Sequence, residues 1–252
     1  MKTNLSHECY KMVHQRSSWL ALLVLFFLML YAATPTAYLT KNIISQGFGA
    51  GQWTIIIMIA LSANFIAMEW RNNTMTTLLY KSPNHQVVYF AKLIALIGYS
   101  IFLLIVGLLF TFIIKSLLVN NRFAWSATYH QYSLLDALFI NLLGVGIYLL
   151  FTITLSLLLV SLVKSSAVVI VIGLMVGFLG SNISAIIMHA FPSLKGVLAW
   201  NPLNMINVIS QLTNPSDMAV SALTNQQLIA GNLIYAGIFL VIGLLVFKRK
   251  GA

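Results

Sequence analysis

Six long stretches with almost no charged residues constrain the fold of this chain more than any other feature. Of its 252 residues, 60% are hydrophobic and only 7% are charged, whereas a soluble domain carries roughly a quarter charged residues. A helix of about 20 apolar residues crosses a bilayer, and in hydrocarbon every backbone polar group must be paired within such a segment. The sequence therefore predicts an all-α polytopic membrane protein that forms a single transmembrane domain over residues 1–252. The six predicted spans cover about residues 17–38, 51–68, 87–114, 134–163, 167–188 and 228–247.

The basic residues predict the orientation of the spans. With the N-terminus placed in the cytoplasm, ten Lys and Arg residues flank the spans inside and four flank them outside. This bias predicts that both termini are cytoplasmic. The first apolar stretch is longer than the core of a signal peptide and lacks a small-residue cleavage pattern, so we expect it to be retained as a span. The net charge is +10, but the basic residues flank apolar spans, which is where membrane topology places them. We therefore expect no nucleic-acid partner.

Two segments outside the spans carry helical signals. Before the first span, Leu5, Cys9, Met12 and Val13 fall at roughly helical spacing. This pattern predicts an amphipathic helix at the inner membrane interface, with a disordered tail as the alternative. In the outer segment 189–227, Asn-Pro pairs at 201–202 and 214–215 are typical of helix starts. We expect two short helices there, dipping into or lying on the outer membrane surface.

Motifs for covalent chemistry are missing. The sequence has no G-x-x-x-x-G-K-[ST] nucleotide loop, no H-E-x-x-H zinc motif and no G-x-S-x-G elbow. The four acids lie at predicted span ends or outside them, which counts against an ion-coupled carrier with buried carboxylates. We therefore predict no catalytic residue, no metal and no cofactor bound by this chain. The acids are Glu8, Glu69, Asp136 and Asp217.

Uncharged polar groups and small residues remain within the spans. The polar groups are amides and hydroxyls, which usually bond across helices, and the rest could line a passage for an amphiphile. They are Asn64, Thr111, Asn141, Thr152, Thr154, Ser156, Asn182 and Asn232. In the fifth span, Gly173, Gly177 and Gly180 predict close helix packing. The sequence leaves open whether this packing is within the chain or between two protomers.

The segment between the second and third spans predicts a short helix held between them. Asn73 tolerates a left-handed backbone, and Thr74 can cap a new helix. Leu78 and Leu79 give that helix an apolar side, and Ser82-Pro83 ends it.

These residues resemble a motif of permease subunits of ABC transporters of the ABC-2 type. In that family an acidic residue, Gly-Thr, a Leu pair, a Pro with a basic residue, and a Lys follow one another between spans two and three. The matching residues here are Glu69, Asn73-Thr74, Leu78-Leu79, Pro83 and Lys92. Asn73 replaces the usual Gly, and Asn84-His85 replaces a common Ser-Arg. Trp200-Asn201-Pro202 is similar to the start of the family's last external loop.

The resemblance implies two permease chains, as a homodimer or a heterodimer, and two cytosolic ATPase chains that hold ATP and Mg. The segment 69–83 would be the coupling helix that docks on the ATPase. Its residues are Glu69, Arg71, Asn73, Thr74, Leu78, Leu79, Ser82 and Pro83. The acid at 69 and the Arg at 71 could pair with each other or with the ATPase, or be solvated. An outer gate would include Asn201, Pro202, Ile206 and Ile209.

The leading functional hypothesis is therefore an exporter subunit in a bacterial plasma membrane that forms a path for an amphiphilic substrate. Its small size, without a large outer domain, resembles small permeases of antibiotic, bacteriocin-immunity or other amphiphile exporters, and the substrate could be an antimicrobial peptide, a drug or a lipid-like compound. The alternative is a membrane sensor or assembly protein that needs no ATPase. A membrane-embedded enzyme is disfavoured, because no nucleophile–base pair or metal cluster is evident in the sequence.

Overall fold

Long helices dominate the computed structural model, which describes residues 2–34, 36–72, 74, 85–119, 122–163 and 165–250. Within these residues, six helices are long and apolar enough to cross a membrane. We call them span one to span six. Their bounds are Arg16–Ala33, Ala50–Arg71, His85–Ile114, Leu134–Val163, Ser166–Ala190 and Asn225–Lys250. The prediction of a helical chain with six apolar spans is confirmed.

The span boundaries agree with the prediction except at a few ends. Span one ends at Ala33 rather than near residue 38. The Thr34 hydroxyl donates to the Tyr31 carbonyl just after this end, and the next residue in the sequence is a proline, which cannot donate a backbone hydrogen bond. Span three continues as a π-helix over Lys115–Val119. Span six begins three residues early because Thr224 and Gln227 form a reciprocal capping box, in which each side chain accepts from the other's backbone N–H.

A helix over Lys2–His14 precedes span one, as predicted, and its place at the membrane interface stays a prediction. It packs mainly on span three. Of the four apolar residues that defined its expected stripe, only Met12 is fully buried, and Cys9 and Val13 are exposed. Buried Glu8 lies on the packed side, so charge as well as apolar area joins this N-terminal helix to the spans.

The connection between spans three and four contains a small hairpin of Thr128–Tyr129 paired with Tyr132–Ser133. It is tied to the short helix Lys41–Ser45, which precedes span two. Lys41 donates to the Thr128 carbonyl at 2.9 Å, and the Tyr129 hydroxyl donates to Asn42 at 2.9 Å. The connections before span two and before span four are therefore packed on each other.

After span five the chain forms a 3-10 turn over Pro192–Leu194 and an α-helical turn over Lys195–Leu198, neither of which was predicted. Two further short helical segments then begin where the Asn-Pro pairs predict. The first is a 3-10 helix over Pro202–Asn207 that continues as the α-helix Val208–Gln211. The second is the 3-10 turn Pro215–Asp217 followed by Met218–Ser221. Asn201 and Asn214 cap them by accepting from the backbone N–H of Asn204 and Ser216. We call residues 201–221 the outer cap, after the side of the membrane on which the sequence predicts them.

Spans two and four form the centre of the bundle, since 67% of the apolar window of each is buried. In spans five and six the buried shares are only 17% and 22%. These two spans therefore turn most of their apolar side chains away from the chain. Such surfaces fit lipid or another subunit.

Candidate functional site

Four charged side chains meet beside the segment that joins spans two and three. Lys92 of span three donates to Glu69 Oε1 at 2.6 Å and to Glu8 Oε1 at 3.0 Å. Lys11 of the N-terminal helix donates to the same two oxygens, at 2.6 Å for Glu69 and 3.1 Å for Glu8. We call these four residues the ion cluster. It joins the N-terminal helix to the last turns of span two and the first turns of span three.

Three of the four members of the ion cluster are deeply buried. The Lys92 side chain is 0% exposed, and those of Glu8 and Glu69 are 3% and 4% exposed. Removing one partner from a buried pair leaves an uncompensated charge and costs about 3–5 kcal/mol. Two carboxylates and two ammonium groups balance, so the cluster is neutral as a unit. It therefore fixes three elements relative to one another only while it is complete.

Lys11 is the least buried member, and its pKa shows how strongly the two carboxylates of the cluster act on it. Burial alone would lower the pKa of Lys11, but attraction and hydrogen bonding from Glu69, and then from Glu8, raise it above its ordinary value. Lys11 is therefore a stable cation at neutral pH. The second carboxylate oxygens of Glu8 and Glu69 are buried and have no hydrogen-bond partner among the described residues.

Three of the predicted coupling residues lie within the described chain. Glu69 pairs with Lys11 and Lys92, rather than with Arg71 or solvent. Arg71 and Thr74 are exposed, and the Thr74 hydroxyl lies 3.4 Å from the Glu69 carbonyl, to which it donates. The remaining five lie outside the described residues. They are Asn73, Leu78, Leu79, Ser82 and Pro83.

Sequence reasoning missed Glu8 and Lys11 as members of this site. Their three-residue spacing on a helix is a local signal for an ion pair. A second signal was Lys92 itself, which lies five residues after the start of a predicted span near residue 87. A charged side chain in a membrane helix needs a partner, and the nearby acids were the available ones.

The outer cap is held by buried amides. Asn204 is fully buried and donates to the carbonyls of Ala199 and Ser221. Gln211 donates to the Leu223 carbonyl and accepts from the Ser221 hydroxyl. Each of these bonds joins separate turns of the connection. Buried hydrogen bonds of this kind hold the cap in one conformation.

A cavity of about 240 Å³ lies beneath the cap, between spans two and five. Ile206 and Ile209, two of the four predicted gate residues, line it together with Gly177. Asn201 and Pro202 do not line it, and Asn201 instead donates to Ser184 of span five. None of the described residues that line the cavity is charged. The polar residues of the lining are Gln46, Gln52, Asn141, Ser181, Asn207 and Ser210.

The glycines of span five pack within the chain. A Cβ on Gly173 would overlap the Cγ2 of Ile59 in span two, and one on Gly180 would lie 3.0 Å from the Leu203 carbonyl oxygen. A Cβ on Gly177 would meet Ile59 only at an ordinary 3.8 Å. Of the two alternatives that the sequence left open, packing within the chain is observed at 173 and 180. A contact between protomers stays a prediction.

Polar groups inside the spans bond in two different ways. Asn232 donates to the Met205 carbonyl and Asn141 to the Ile209 carbonyl, so both tie a span to the outer cap. The Thr111 hydroxyl donates to the Gly47 carbonyl before span two. Thr152 and Thr154, in contrast, donate to carbonyls one turn earlier in their own helix, which satisfies the hydroxyl locally.

No group of three or more His, Cys, Asp or Glu side chains that could hold a metal occurs in the part of the chain that the structure describes.

Compared with known families, residues 4–180 match a family model described as ABC-2 family transporter protein. The match covers 177 of the 252 residues and includes every member of the ion cluster. No curated protein matches the chain.

Proposed function

Because the chain belongs to the ABC-2 family of transporter proteins, it is a multi-pass protein of the plasma membrane, and we propose that it is the permease subunit of an ATP-driven exporter. In this proposal two permease chains form the path for the substrate, and two cytosolic ATPase chains bind ATP with Mg and hydrolyse it. The two permease chains are either identical or different.

The ion cluster is the observation that carries the proposal. Glu69 lies two residues before the end of span two, and Lys92 lies seven residues after the start of span three. Their ion pair therefore joins both sides of the connecting segment 72–84, and Lys11 and Glu8 add the N-terminal helix to the same unit. A partner that pushed on this segment would move three elements together rather than one. That is what coupling to a separate ATPase requires.

The docking surface of this segment is proposed to be Arg71, Asn73, Thr74, Leu78, Leu79, Ser82 and Pro83. Glu69 acts differently from the others. Since its carboxylate is buried against two lysines, we assign it the role of holding the frame behind the docking surface, without contact with the ATPase.

A pull-down from the native membrane in mild detergent tests the proposal. Tagged wild-type chain should bring down a nucleotide-binding chain, and Leu78→Asp with Leu79→Asp should lose it, because charge replaces the apolar side that docks. Val197→Asp is the matched control, since this residue is 75% exposed in the connection after span five, which we expect to be outside. The control should keep the ATPase.

If gently solubilised wild type brought down no nucleotide-binding chain, the exporter proposal would be wrong. The sensor or assembly alternative would then be the better description. Loss of the ATPase in the Val197→Asp control as well would show that the effect of the aspartates is not specific to the coupling segment.

The cavity beneath the outer cap supports an amphiphilic substrate, such as an antimicrobial peptide, a drug or a lipid-like compound. Its wall combines isoleucines with amides and hydroxyls and carries no charge among its lining residues. Gly177→Trp should fill this cavity and make cells as sensitive to such compounds as a strain that lacks the chain. Gly237→Trp in span six is the control, since its side chain would enter open space away from the cavity.

A further inference from the structure

An apolar groove lies between the N-terminal helix, span one and span three, away from the outer cavity. Its volume is about 470 Å³, which lies within the range of roughly 300–1,000 Å³ that small-ligand sites have. Residues from all three elements line it, among them Leu5, Cys9, Val13, Trp19, Gly98 and Phe102. Gly98 forms part of its wall, and no described atom beyond its chain neighbours and the nearby backbone of its own helix lies within 4 Å of where its Cβ would be.

The polar groups along this groove are already satisfied within the chain. The Trp19 indole donates to the Val13 carbonyl at 2.9 Å, and the Tyr99 hydroxyl donates to the Ser18 carbonyl at 2.6 Å. The Ser18 hydroxyl faces the sulfur of Met12 at 3.5 Å. The groove therefore offers its occupant apolar surface and no free hydrogen-bonding group from these side chains, as a hydrocarbon chain requires.

Among the described residues Glu8, Glu69 and Arg16 near the groove, the unpaired charge is positive. Both acids of the described N-terminal part of the chain, Glu8 and Glu69, are buried in the ion cluster. Arg16 is exposed at the start of span one, one turn before Trp19 on the same helix. Tryptophan and arginine at the end of a span are typical of the headgroup level of a bilayer. Arg16 does not line the groove itself, but an apolar groove with a cation one helical turn from its wall is complementary to a lipid with a negative headgroup.

We propose that this groove binds an anionic phospholipid, with an acyl chain against Gly98 and Phe102 and the phosphate near Arg16. The site is independent of the proposed export function and of the outer cavity. It would make the lipid part of the packing between the N-terminal helix and span three, next to the ion cluster.

Photo-crosslinking in proteoliposomes tests the site. The probes are phosphatidylglycerol and phosphatidylcholine that carry the same diazirine-bearing acyl chain, each at trace amounts in phosphatidylcholine bilayers. Crosslinks to peptides of the N-terminal helix, span one and span three are quantified by mass spectrometry. For wild type we expect phosphatidylglycerol to label these peptides up to roughly fivefold more than phosphatidylcholine, the ratio that corresponds to about 1 kcal/mol for one exposed ion pair.

Two variants separate the acyl-chain site from the headgroup site. Gly98→Phe should fill the groove and reduce labelling of its peptides by both probes. Arg16→Gln should keep the labelling by phosphatidylcholine and lower the labelling by phosphatidylglycerol to the same level. Gly237→Phe is the matched control for the first variant, since its side chain also enters open space. Gly98 lies 13 residues after the start of span three, and Gly237 lies 13 residues before the end of span six. It should leave labelling and preference unchanged.

Equal labelling of wild type by the two probes would overturn the anionic-lipid assignment, and so would an unchanged preference in Arg16→Gln. Labelling that persisted in a folded Gly98→Phe variant would overturn the acyl-chain assignment. Because Arg16 is exposed, its substitution leaves the packing intact and tests the proposal even if Gly98→Phe fails to fold.

Discussion

At the scale of single residues, Lys92 is the position on which the ion cluster depends most. Its ammonium group is fully buried, and its ion-pair partners come from two other elements, with Glu8 in the N-terminal helix and Glu69 in span two. A buried lysine without such partners would lose its charge or distort the fold. The position therefore couples the stability of the bundle to the presence of both acids.

We predict that Lys92→Met and Glu69→Gln each destabilise the protein by about 3–5 kcal/mol, because each leaves one buried charge without its counterpart. The double variant should be less destabilised than the sum of the two, since it leaves the neutral pair of Glu8 and Lys11. Thermal unfolding in detergent, followed by tryptophan fluorescence, measures all three.

Arg71→Gln is the control for these variants, because it removes a charge that is exposed at the end of span two. It should change stability by less than about 0.5 kcal/mol. Strictly additive losses in the double variant would contradict a cluster that acts as a unit.

The pKa of Lys11 predicts a pH dependence of stability. Its pKa is raised in the folded state above the ordinary value of 10.5, so its contribution is complete below that value and is lost as pH rises through the folded pKa. Wild type should therefore exceed Lys11→Met in melting temperature by a constant amount from pH 7 to about pH 10. The difference should shrink at higher pH. A difference that shrank between pH 7 and 9 would contradict this assignment.

At the scale of elements, the contact between spans two and five depends on a missing side chain. Ile59 is buried, is stiff because it is branched at Cβ, and lies against Gly173 with no room for a methyl group. The pair sets how closely the two helices approach, and Gly177, one turn along, contributes to the cavity beneath the outer cap. Packing and cavity shape are therefore set by the same helix face.

We predict that Gly173→Ala destabilises the protein by about 1–3 kcal/mol through overpacking. Gly177→Ala should change stability little, because its methyl group would sit 3.8 Å from Ile59. Adding Ile59→Ala to Gly173→Ala should restore part of the loss. Detergent melting curves decide the order. If Gly177→Ala weakened a dimer seen by crosslinking while leaving the melting temperature unchanged, the predicted protomer contact would be supported.

At the scale of the whole molecule, the bias of basic residues predicts that both termini are cytoplasmic. Cys9 is the single cysteine of the chain and is exposed on the N-terminal helix, so it reports topology without engineering. A membrane-impermeant maleimide should leave Cys9 unlabelled in intact cells and label it after permeabilisation. The variant Cys9→Ser with Ser216→Cys places the thiol at an exposed position in the outer cap and should be labelled in intact cells. The reverse pattern would invert the topology.

Much of the fold follows from the sequence because the bilayer imposes local rules. The fourth span has the predicted bounds of 134–163, since a long apolar stretch between polar turns has no other solution. The outer-cap helices begin at the Asn-Pro pairs because capping depends on residues within one turn. The early start of span six was missed although Thr224 and Gln227 are also a local signal.

The sequence by itself determined the helical spans and the starts of the cap helices, because membrane insertion and helix capping act within one segment. It also gave the family, from residues between spans two and three, although most of that motif lies outside the described residues. Only the tertiary structure placed Glu8 and Lys11 of the N-terminal helix against Glu69 and Lys92, up to 84 positions apart in sequence. It alone placed Gly173 against Ile59 within one chain. Contacts between distant segments depend on how helices pack, and spacing along one helix does not encode that.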